Sequence, residues 1–239
     1  DQLAYSLSPA LSQACDTYCE THGLTSYTLF LAAFGVLLSR MSGKDDLIVG
    51  APVSGRLWPE VRDLCGPFIN TLPLRLLPRK DQALSGYLSA VREAVMQVLD
   101  HQNISLEEII SLLELPRTLD RNPLYQVMFS QRPLDAGAFS LGGQPLTYLP
   151  IPTGTAKFDM VLELARENGV YSLQFEYASS LFTRETISFY ARCMEALLQD
   201  LVSCGDKPVE ELRALSPRDK LALLDIPQNT VTPFLNMPI

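Results

Sequence analysis

The chain is poor in histidine, in positive charge and in long apolar runs. Its 239 residues include 2 histidines and 19 lysines and arginines against 27 aspartates and glutamates, which gives a formal net charge of −8. A nucleic-acid-binding protein needs a basic surface to neutralise phosphates, and anionic membrane surfaces also attract basic segments. The longest apolar run, Leu29–Leu38, has ten residues, and a membrane-spanning helix needs ~18. The sequence therefore predicts neither nucleic acid nor a membrane as a partner.

Cysteine is also sparse and irregularly spaced. The 5 cysteines are an odd number, and Cys193 and Cys204 fall on one predicted helix, too far apart to form a disulfide. A reduced, cytoplasmic protein is therefore expected. Cys15, Cys19 and His22 have a spacing that metal ligands also use, but their helix face is apolar and no fourth ligand is close in sequence. This pattern favours core packing, so no metal site is predicted.

The N-terminus carries no secretory signal and no initiator methionine, so we expect the chain to be a piece of a longer protein. Hydrophobic residues make up 47% of it and charged residues 19%, enough apolar material for a folded core. Apolar spacing and stop signals predict helices over 11–22, 25–41, 81–101, 105–116 and 183–204, with a short last helix from 216.

Strands are predicted over 47–53, 68–77, 124–130, 158–165 and 170–177. Asn168 and Gly169 separate the last two strands, and Asn-Gly is the turn that a tight hairpin favours. The predicted fold class is α/β, a two-layer sandwich of mixed sheet and helices. The segment 131–157 is rich in glycine and proline and reads as a long connection that needs an explanation.

Four segments, in order, resemble a known family. They are Thr28–Arg56 (TLFLAAFGVLLSRMSGKDDLIVGAPVSGR), Cys65–Leu76 (CGPFINTLPLRL), Arg121–Ser130 (RNPLYQVMFS) and, as a weaker match, His101–Glu108 (HQNISLEE). Together they are similar to the second lobe of condensation domains of non-ribosomal peptide synthetases. The second segment resembles the family's G-x-F-V-N-T-x-x-x-R motif and the third its S-R-N-P-L motif. The matching residues are Gly66, Phe68, Asn70, Thr71, Arg75, Arg121 and Asn122.

This resemblance implies one lobe of a chloramphenicol acetyltransferase-like fold, over residues 1–226, followed by the start of a linker towards an adenylation domain over 227–239. It implies an acyltransferase activity of secondary metabolite biosynthesis, the formation of amide bonds between carrier-protein-bound aminoacyl or peptidyl thioesters. The implied partners are the N-terminal lobe of the same domain, carrier proteins and the adjacent adenylation domain. No cofactor is expected to bind directly, because the phosphopantetheine arms of the carrier proteins act as substrates.

The family's catalytic motif, H-H-x-x-x-D-G, does not occur in this sequence. Its histidines are His22 and His101, and neither lies in such a pattern. No catalytic residue is therefore assigned, and the chain alone is expected to be inactive. A free-standing chloramphenicol acetyltransferase would need its own H-x-x-x-D pattern, which is also absent. A non-catalytic module that docks carrier proteins or neighbouring domains stays open as an alternative.

Asn70 and Thr71 are the candidates for polar residues of the substrate tunnel, with a structural pair at the strand end as the alternative. Because strand residues alternate faces, Asn70 is expected to face the tunnel together with Phe68 and Leu72, where water and substrate would pair with its amide. An unpaired amide above apolar helices would be costly.

Roles in structure are expected for the other matching residues. Arg75 is expected to form an ion pair at the strand edge, and Arg121 and Asn122 to build a turn before Pro123. His101, at a helix end, is expected to meet the helix dipole and not to act in catalysis. The long connection, 131–157, is expected to cross to the absent first lobe.

Overall fold

A computed structural model describes residues 1–116, 122–132, 140–145 and 154–225 of the chain. Six strands form one mixed sheet in the order β1-β8-β7-β4-β2-β3, and two short strands form a separate hairpin, β5-β6. The strands are β1 Gln2–Ser6, β2 Leu47–Val53, β3 Asn70–Leu76, β4 Val127–Gln131, β5 Ser140–Leu141, β6 Gln144–Pro145, β7 Met160–Glu167 and β8 Val170–Tyr177. β4 is parallel to both of its neighbours, and the other pairs in the large sheet are antiparallel.

Six α-helices and two short 3-10 helices complete the described part of the chain. The α-helices are α1 Pro9–His22, α2 Ser26–Ser42, α3 Leu84–Asp100, α4 Leu106–Leu112, α5 Arg184–Ser203 and α6 Pro217–Asp225, and the 3-10 helices are Pro59–Val61 and Val209–Glu211. Several helix ends have the caps that the sequence indicated. Gly23 and Gly43 end α1 and α2 in the left-handed conformation, and Ser105 with Glu108 forms a capping box at α4.

Helix α2 is the centre of the core. Residues 28–37 are all buried, and the helix contacts α1, α3, α5 and strand β2. A helix that is apolar all round must be covered on every side, which this position provides. The strands alternate in burial, as β8 shows: Tyr171, Leu173, Phe175 and Tyr177 are buried, and the residues between them are half-buried. One face of the sheet is thus covered by helices, and the fold class predicted from the sequence, a two-layer α/β sandwich, is confirmed.

Most elements lie where the sequence placed them, with two instructive differences. The hairpin turn at Asn168 and Gly169 is present, and both residues have the positive φ that a tight hairpin requires. Strand β1, however, was not predicted: it pairs with β8, far away in the sequence. The strand expected over 124–130 begins only at Val127 because Asn122 holds a turn before it.

The long connection 131–157 lies mostly outside the described residues. Its described part includes the hairpin β5-β6, which does not join the large sheet. The expectation that this segment crosses to another lobe stays a prediction. The proposed linker, 227–239, is also outside the described residues.

The cysteines form no disulfide in the described structure, and His22 packs against an aromatic ring. Among the described residues all five cysteines are free, and Cys15 and Cys19 lie in the core, where burial raises their pKa to about 12 and about 11. The ring of His22 stacks on Tyr18, with ring centroids 3.9 Å apart. No group of three or more potential metal ligands occurs in the described parts of the chain.

Among the described residues, no single helix is long and apolar enough to cross a membrane. The pair α1 and α2 passes the same test together but is bent by 108° at its break, and the apolar part of α2 is buried in the core.

Helices α2 and α3 approach each other closely at Gly35. The Tyr87 hydroxyl of α3 donates a hydrogen bond to the carbonyl of Ala32, at 3.1 Å, in the fully buried interface. A Cβ atom on Gly35 would lie 2.5 Å from this hydroxyl and 3.0 Å from Cδ1 of Leu76. Gly35 is therefore the residue that lets Tyr87 reach the backbone of α2.

We predict that Gly35→Ala lowers the free energy of unfolding by about 1–3 kcal/mol through overpacking and that Tyr87→Phe lowers it by about 1 kcal/mol through the lost hydrogen bond. Because the hydroxyl is the nearest atom to the added methyl group, the double variant should lose less than the sum of the two. Urea unfolding of the four proteins measures this. Gly205→Ala is the control, since nothing lies within 4 Å of its Cβ position; strictly additive losses would contradict the prediction.

Candidate functional site at the β2–β3 edge

The loop between β2 and β3 is organised by one arginine and one aromatic ring. Arg56 places its guanidinium 4.4 Å from the ring centroid of Phe68 and donates hydrogen bonds to backbone carbonyls of the loop, among them that of Leu64 at 2.8 Å. Gly55, at φ 63°, allows the loop to fold back, because a Cβ there would lie 1.9 Å from the carbonyl oxygen of Phe68. A Cβ added to Gly66 would lie 3.2 Å from the nearest atom of the same ring, so Gly66 lets the backbone lie close to it. The family-like residues Gly66 and Phe68 thus have a structural role in this loop.

Asn70 fastens the first residue of β3 to the segment that joins α3 and α4. Its side-chain nitrogen donates to the carbonyls of Gln102, at 3.1 Å, and Ile104, at 2.8 Å. Its side-chain oxygen accepts from the backbone nitrogen of Thr71, at 2.9 Å. The amide is therefore fully paired by backbone groups of this chain.

The expectation that Asn70 faces the tunnel stays a prediction. Leu72, Leu74 and Leu76 follow at two-residue spacing and are all buried on the helix-covered side, so Asn70 lies in register with the core residues. Only apolar partners were expected on the helix-covered side of β3. That premise is wrong, because the backbone carbonyls of the α3–α4 segment lie there and pair with the amide.

Thr71 and Asn122 meet at a buried tyrosine that the sequence analysis did not single out. Burial, the larger effect, raises the pKa of the Tyr125 phenol, and the nearby side chains of Thr71 and Asn122 oppose this rise. The Tyr125 ring is 2% exposed and lies against the backbone of β2, where a Cβ on Gly50 would be 2.4 Å from a ring carbon. The two family-like motifs are thus joined in space through Tyr125.

Asn122 also builds the turn that leads into β4. Its side-chain oxygen accepts hydrogen bonds from the backbone nitrogens of Leu124, at 3.0 Å, and Tyr125, at 3.3 Å. This is the local pairing by which asparagine stabilises turns. Arg121, the neighbouring candidate, lies outside the described residues.

The remaining candidates lie away from this cluster. Arg75 forms a two-pronged ion pair with Asp46, with both hydrogen bonds at 2.8 Å, on the exposed edge of the sheet. His101 caps the end of α3, and its Nδ1 contacts the carbonyl of Gln97 at 2.8 Å. Neither residue is brought close to Asn70, Thr71 or Tyr125 by any described contact.

Comparison with known proteins identifies the family to which this fold belongs. A profile of the Condensation domain family matches residues 1–224. The chain belongs to the condensation domain family.

Curated relatives of this condensation-domain chain are peptide synthases. Surfactin synthase subunit 1 of Bacillus subtilis (strain 168) is 32% identical over 225 residues, and tyrocidine synthase 3 of Brevibacillus parabrevis is 31% identical over 237 residues. These alignments cover 94% and 96% of this chain but 6% and 4% of the two relatives. The chain therefore spans only a small part of the proteins it matches.

Solved structures support the same fold. A four-domain non-ribosomal peptide synthetase superimposes with a TM-score of 0.84 at 23% identity, covering 92% of this chain and 18% of that one. The X-domain from teicoplanin biosynthesis superimposes with a TM-score of 0.80 at 24% identity, covering 90% of this chain and 50% of that one. The chloramphenicol acetyltransferase-like fold expected from the motifs is thus confirmed.

We predict that Asn70→Ala lowers the free energy of unfolding by about 1–3 kcal/mol, because two carbonyls and one backbone N–H lose their partner. Thermal or urea unfolding measures the loss. Ile69→Ala, at the neighbouring position, is the matched control. The Ile69 side chain is 75% exposed, so its removal should change stability little. An Asn70→Ala protein as stable as the Ile69→Ala protein would show that these hydrogen bonds contribute nothing.

We also predict that Gly50→Ala destabilises the protein by about 1–3 kcal/mol, because the new methyl group overlaps the Tyr125 ring, which is buried. Gly86→Ala is the control on α3, where the added Cβ meets only the flexible Gln82 side chain at 3.6 Å. That helical substitution should stabilise by about 0.5–1 kcal/mol. Equal denaturant midpoints for the two variants would contradict the packing argument.

Proposed function

We propose that this chain is the C-terminal lobe of a condensation domain and lines one wall of the tunnel in which a peptide synthetase joins two carrier-bound thioesters. The observation that carries the proposal is coverage. The first condensation domain of the CDA synthetase aligns with 90% of this chain, yet the chain accounts for only 48% of it. A second lobe of similar size fits this proportion, and the H-H-x-x-x-D-G pattern, absent from this sequence, belongs to that lobe.

In this proposal the lobe contributes geometry and not proton transfer. Its histidines are committed elsewhere: His22 stacks on Tyr18, and His101 caps α3. Holding an amine and a thioester in line supplies several kcal/mol of the barrier in bimolecular acyl transfer. A rigid wall is what such positioning requires, and the paired groups around Asn70 and Tyr125 hold the first residues of β3 in one arrangement.

A role for Asn70 and Thr71 as tunnel residues stays part of the proposal. Both are half-buried at the end of β3, so their remaining surface is open to a neighbouring group. The Asn70 side chain already donates hydrogen bonds to backbone carbonyls of this chain, and contact with substrate would add to those hydrogen bonds. Gly66, Phe68, Asn122 and Tyr125 support this wall from behind.

The proposed domain limits and partners follow from the family. Residues 1–226 would form the lobe, and 227–239 would begin the linker to an adenylation domain. Partners would be the N-terminal lobe, carrier proteins that present phosphopantetheine-bound substrates, and the adenylation domain, all in the cytoplasm. The relatives named above are synthases in which such domains are parts of long chains.

We predict that the chain alone forms no dipeptide above the uncatalysed background when mixed with two aminoacyl-loaded carrier proteins, because it holds no catalytic histidine. Joined to an N-terminal lobe that carries the H-H-x-x-x-D-G motif, it should support product formation, detected by mass spectrometry of the released thioester. The control is the same fusion with the second histidine of the motif changed to alanine. Dipeptide formation by the lone chain, or none by the fusion when it is folded, would refute the proposed role.

A further inference from the structure

One cavity among the described residues lies between the helix layer and the sheet, where the first turn of α2, the end of β2 and the second half of α3 meet. Its volume is about 580 Å³, and a separate cavity near His22 has a volume of about 380 Å³. Sites for small molecules usually measure ~300–1,000 Å³. This cavity is separate from the cluster around Tyr125, which does not line it.

The cavity walls are mainly apolar. The apolar side chains come from three elements: Ala51, Pro52 and Val53 of β2, Leu74 of β3, and Val95, Met96, Val98 and Leu99 of α3. Met96 is 53% exposed and Leu99 is 38% exposed, although both lie beside the core. Large apolar side chains left partly uncovered around a concave site are typical of a site that takes an apolar group.

Two hydrogen-bond donors in this cavity lack partners. Tyr27 packs edge-on against Phe129, with ring centroids 5.1 Å apart, and burial raises the pKa of its phenol. Within the described residues its hydroxyl makes no hydrogen bond, and the guanidinium of Arg92 makes neither an ion pair nor a side-chain hydrogen bond. Tyr27 is half-buried and Arg92 is exposed, so both polar groups are accessible to a molecule that enters the cavity.

The charge of Arg92 decides the kind of ligand. The chain as a whole has a net charge of −8. Several of its described arginines form ion pairs with carboxylates, as Arg75 and Arg166 do. Arg92 is exposed at the cavity and has no carboxylate partner among the described residues. A ligand that matches this arrangement has an aliphatic body and an anionic oxygen head.

We infer that this cavity binds an aliphatic carboxylate, with its hydrocarbon part against β2 and α3 and its carboxylate oxygens accepting hydrogen bonds from Arg92 and Tyr27. Binding is a property of this chain alone and does not rest on the amide-forming role. A charge-assisted hydrogen bond is about twice as strong as a neutral one, so Arg92 should contribute more to affinity than Tyr27.

The test is calorimetric titration of the chain with sodium decanoate, below the concentration at which decanoate aggregates. Saturable binding with one site per chain is expected. Decyltrimethylammonium, which has the same tail and the opposite charge, and butyrate, which has the same head and a short tail, should both bind at least tenfold more weakly. Equal affinity for the cation would overturn the inference, since Arg92 would then have no role.

Variants locate the ligand. Arg92→Gln should weaken decanoate binding about tenfold and Tyr27→Phe about threefold to tenfold. Arg79→Gln, at an exposed arginine outside the cavity, and Tyr18→Phe should leave affinity unchanged. Val95→Phe should fill the cavity and abolish binding, with its folding checked by circular dichroism. If it does not fold, the two polar variants decide: unchanged affinity in Arg92→Gln refutes the site.

A last comparison separates the free acid from an acyl group carried as a thioester. Decanoyl-N-acetylcysteamine has the same chain without the negative charge. It should bind at least tenfold more weakly than decanoate if the carboxylate meets Arg92. Equal or tighter binding of the thioester would overturn the assignment of a carboxylate ligand.

Discussion

Covering helix α2 on all sides is the constraint on which the rest of the structure depends. Residues 28–37 of this helix bring phenylalanine, leucine and valine side chains to every face and are all buried. Burying apolar surface contributes about 25 cal/mol per Å², so leaving one face of α2 open would remove a large part of the marginal stability of a domain. The sheet covers one side, and α1, α3 and α5 cover the others. The order of strands follows, because β2 and β4 must lie beneath the helix for the layer to close.

The family-like motifs make sense within this arrangement because they join the edge of the sheet to its centre. Thr71 belongs to edge strand β3, and Asn122 precedes the inner strand β4, yet the side chains of both influence the pKa of the same Tyr125 phenol. The ring of Tyr125 spans the intervening strand by lying on Gly50, where any side chain would clash. A polar pair, an aromatic ring and a glycine from three neighbouring strands and the turn before one of them therefore lie together.

Features set by neighbouring residues could be predicted from the sequence. The capping box at Ser105 and Glu108 and the turn at Asn168 and Gly169 depend on groups a few positions apart, so their signals are local. Strand β1 could not be found in this way, since it is defined by pairing with β8. The partners of Asn70 were missed for a related reason: they are backbone carbonyls, which every residue has and which therefore leave no trace in the sequence. Only the folded chain brings Gln102 and Ile104 to the amide.

The same helix layer explains why a cavity exists beside so tightly packed a contact. At Gly35 the absence of a side chain lets Tyr87 bring the first half of α3 against α2, with a hydrogen bond to Ala32. The second half of α3 does not follow this close approach, and its residues line the open space beside the first turn of α2. A core normally fills such space, because voids forfeit packing energy. Here Met96 and Leu99, two long apolar side chains of the wall, stay partly exposed and leave the space open. A ligand that bound this space in the folded chain and not in the unfolded chain would stabilise the fold.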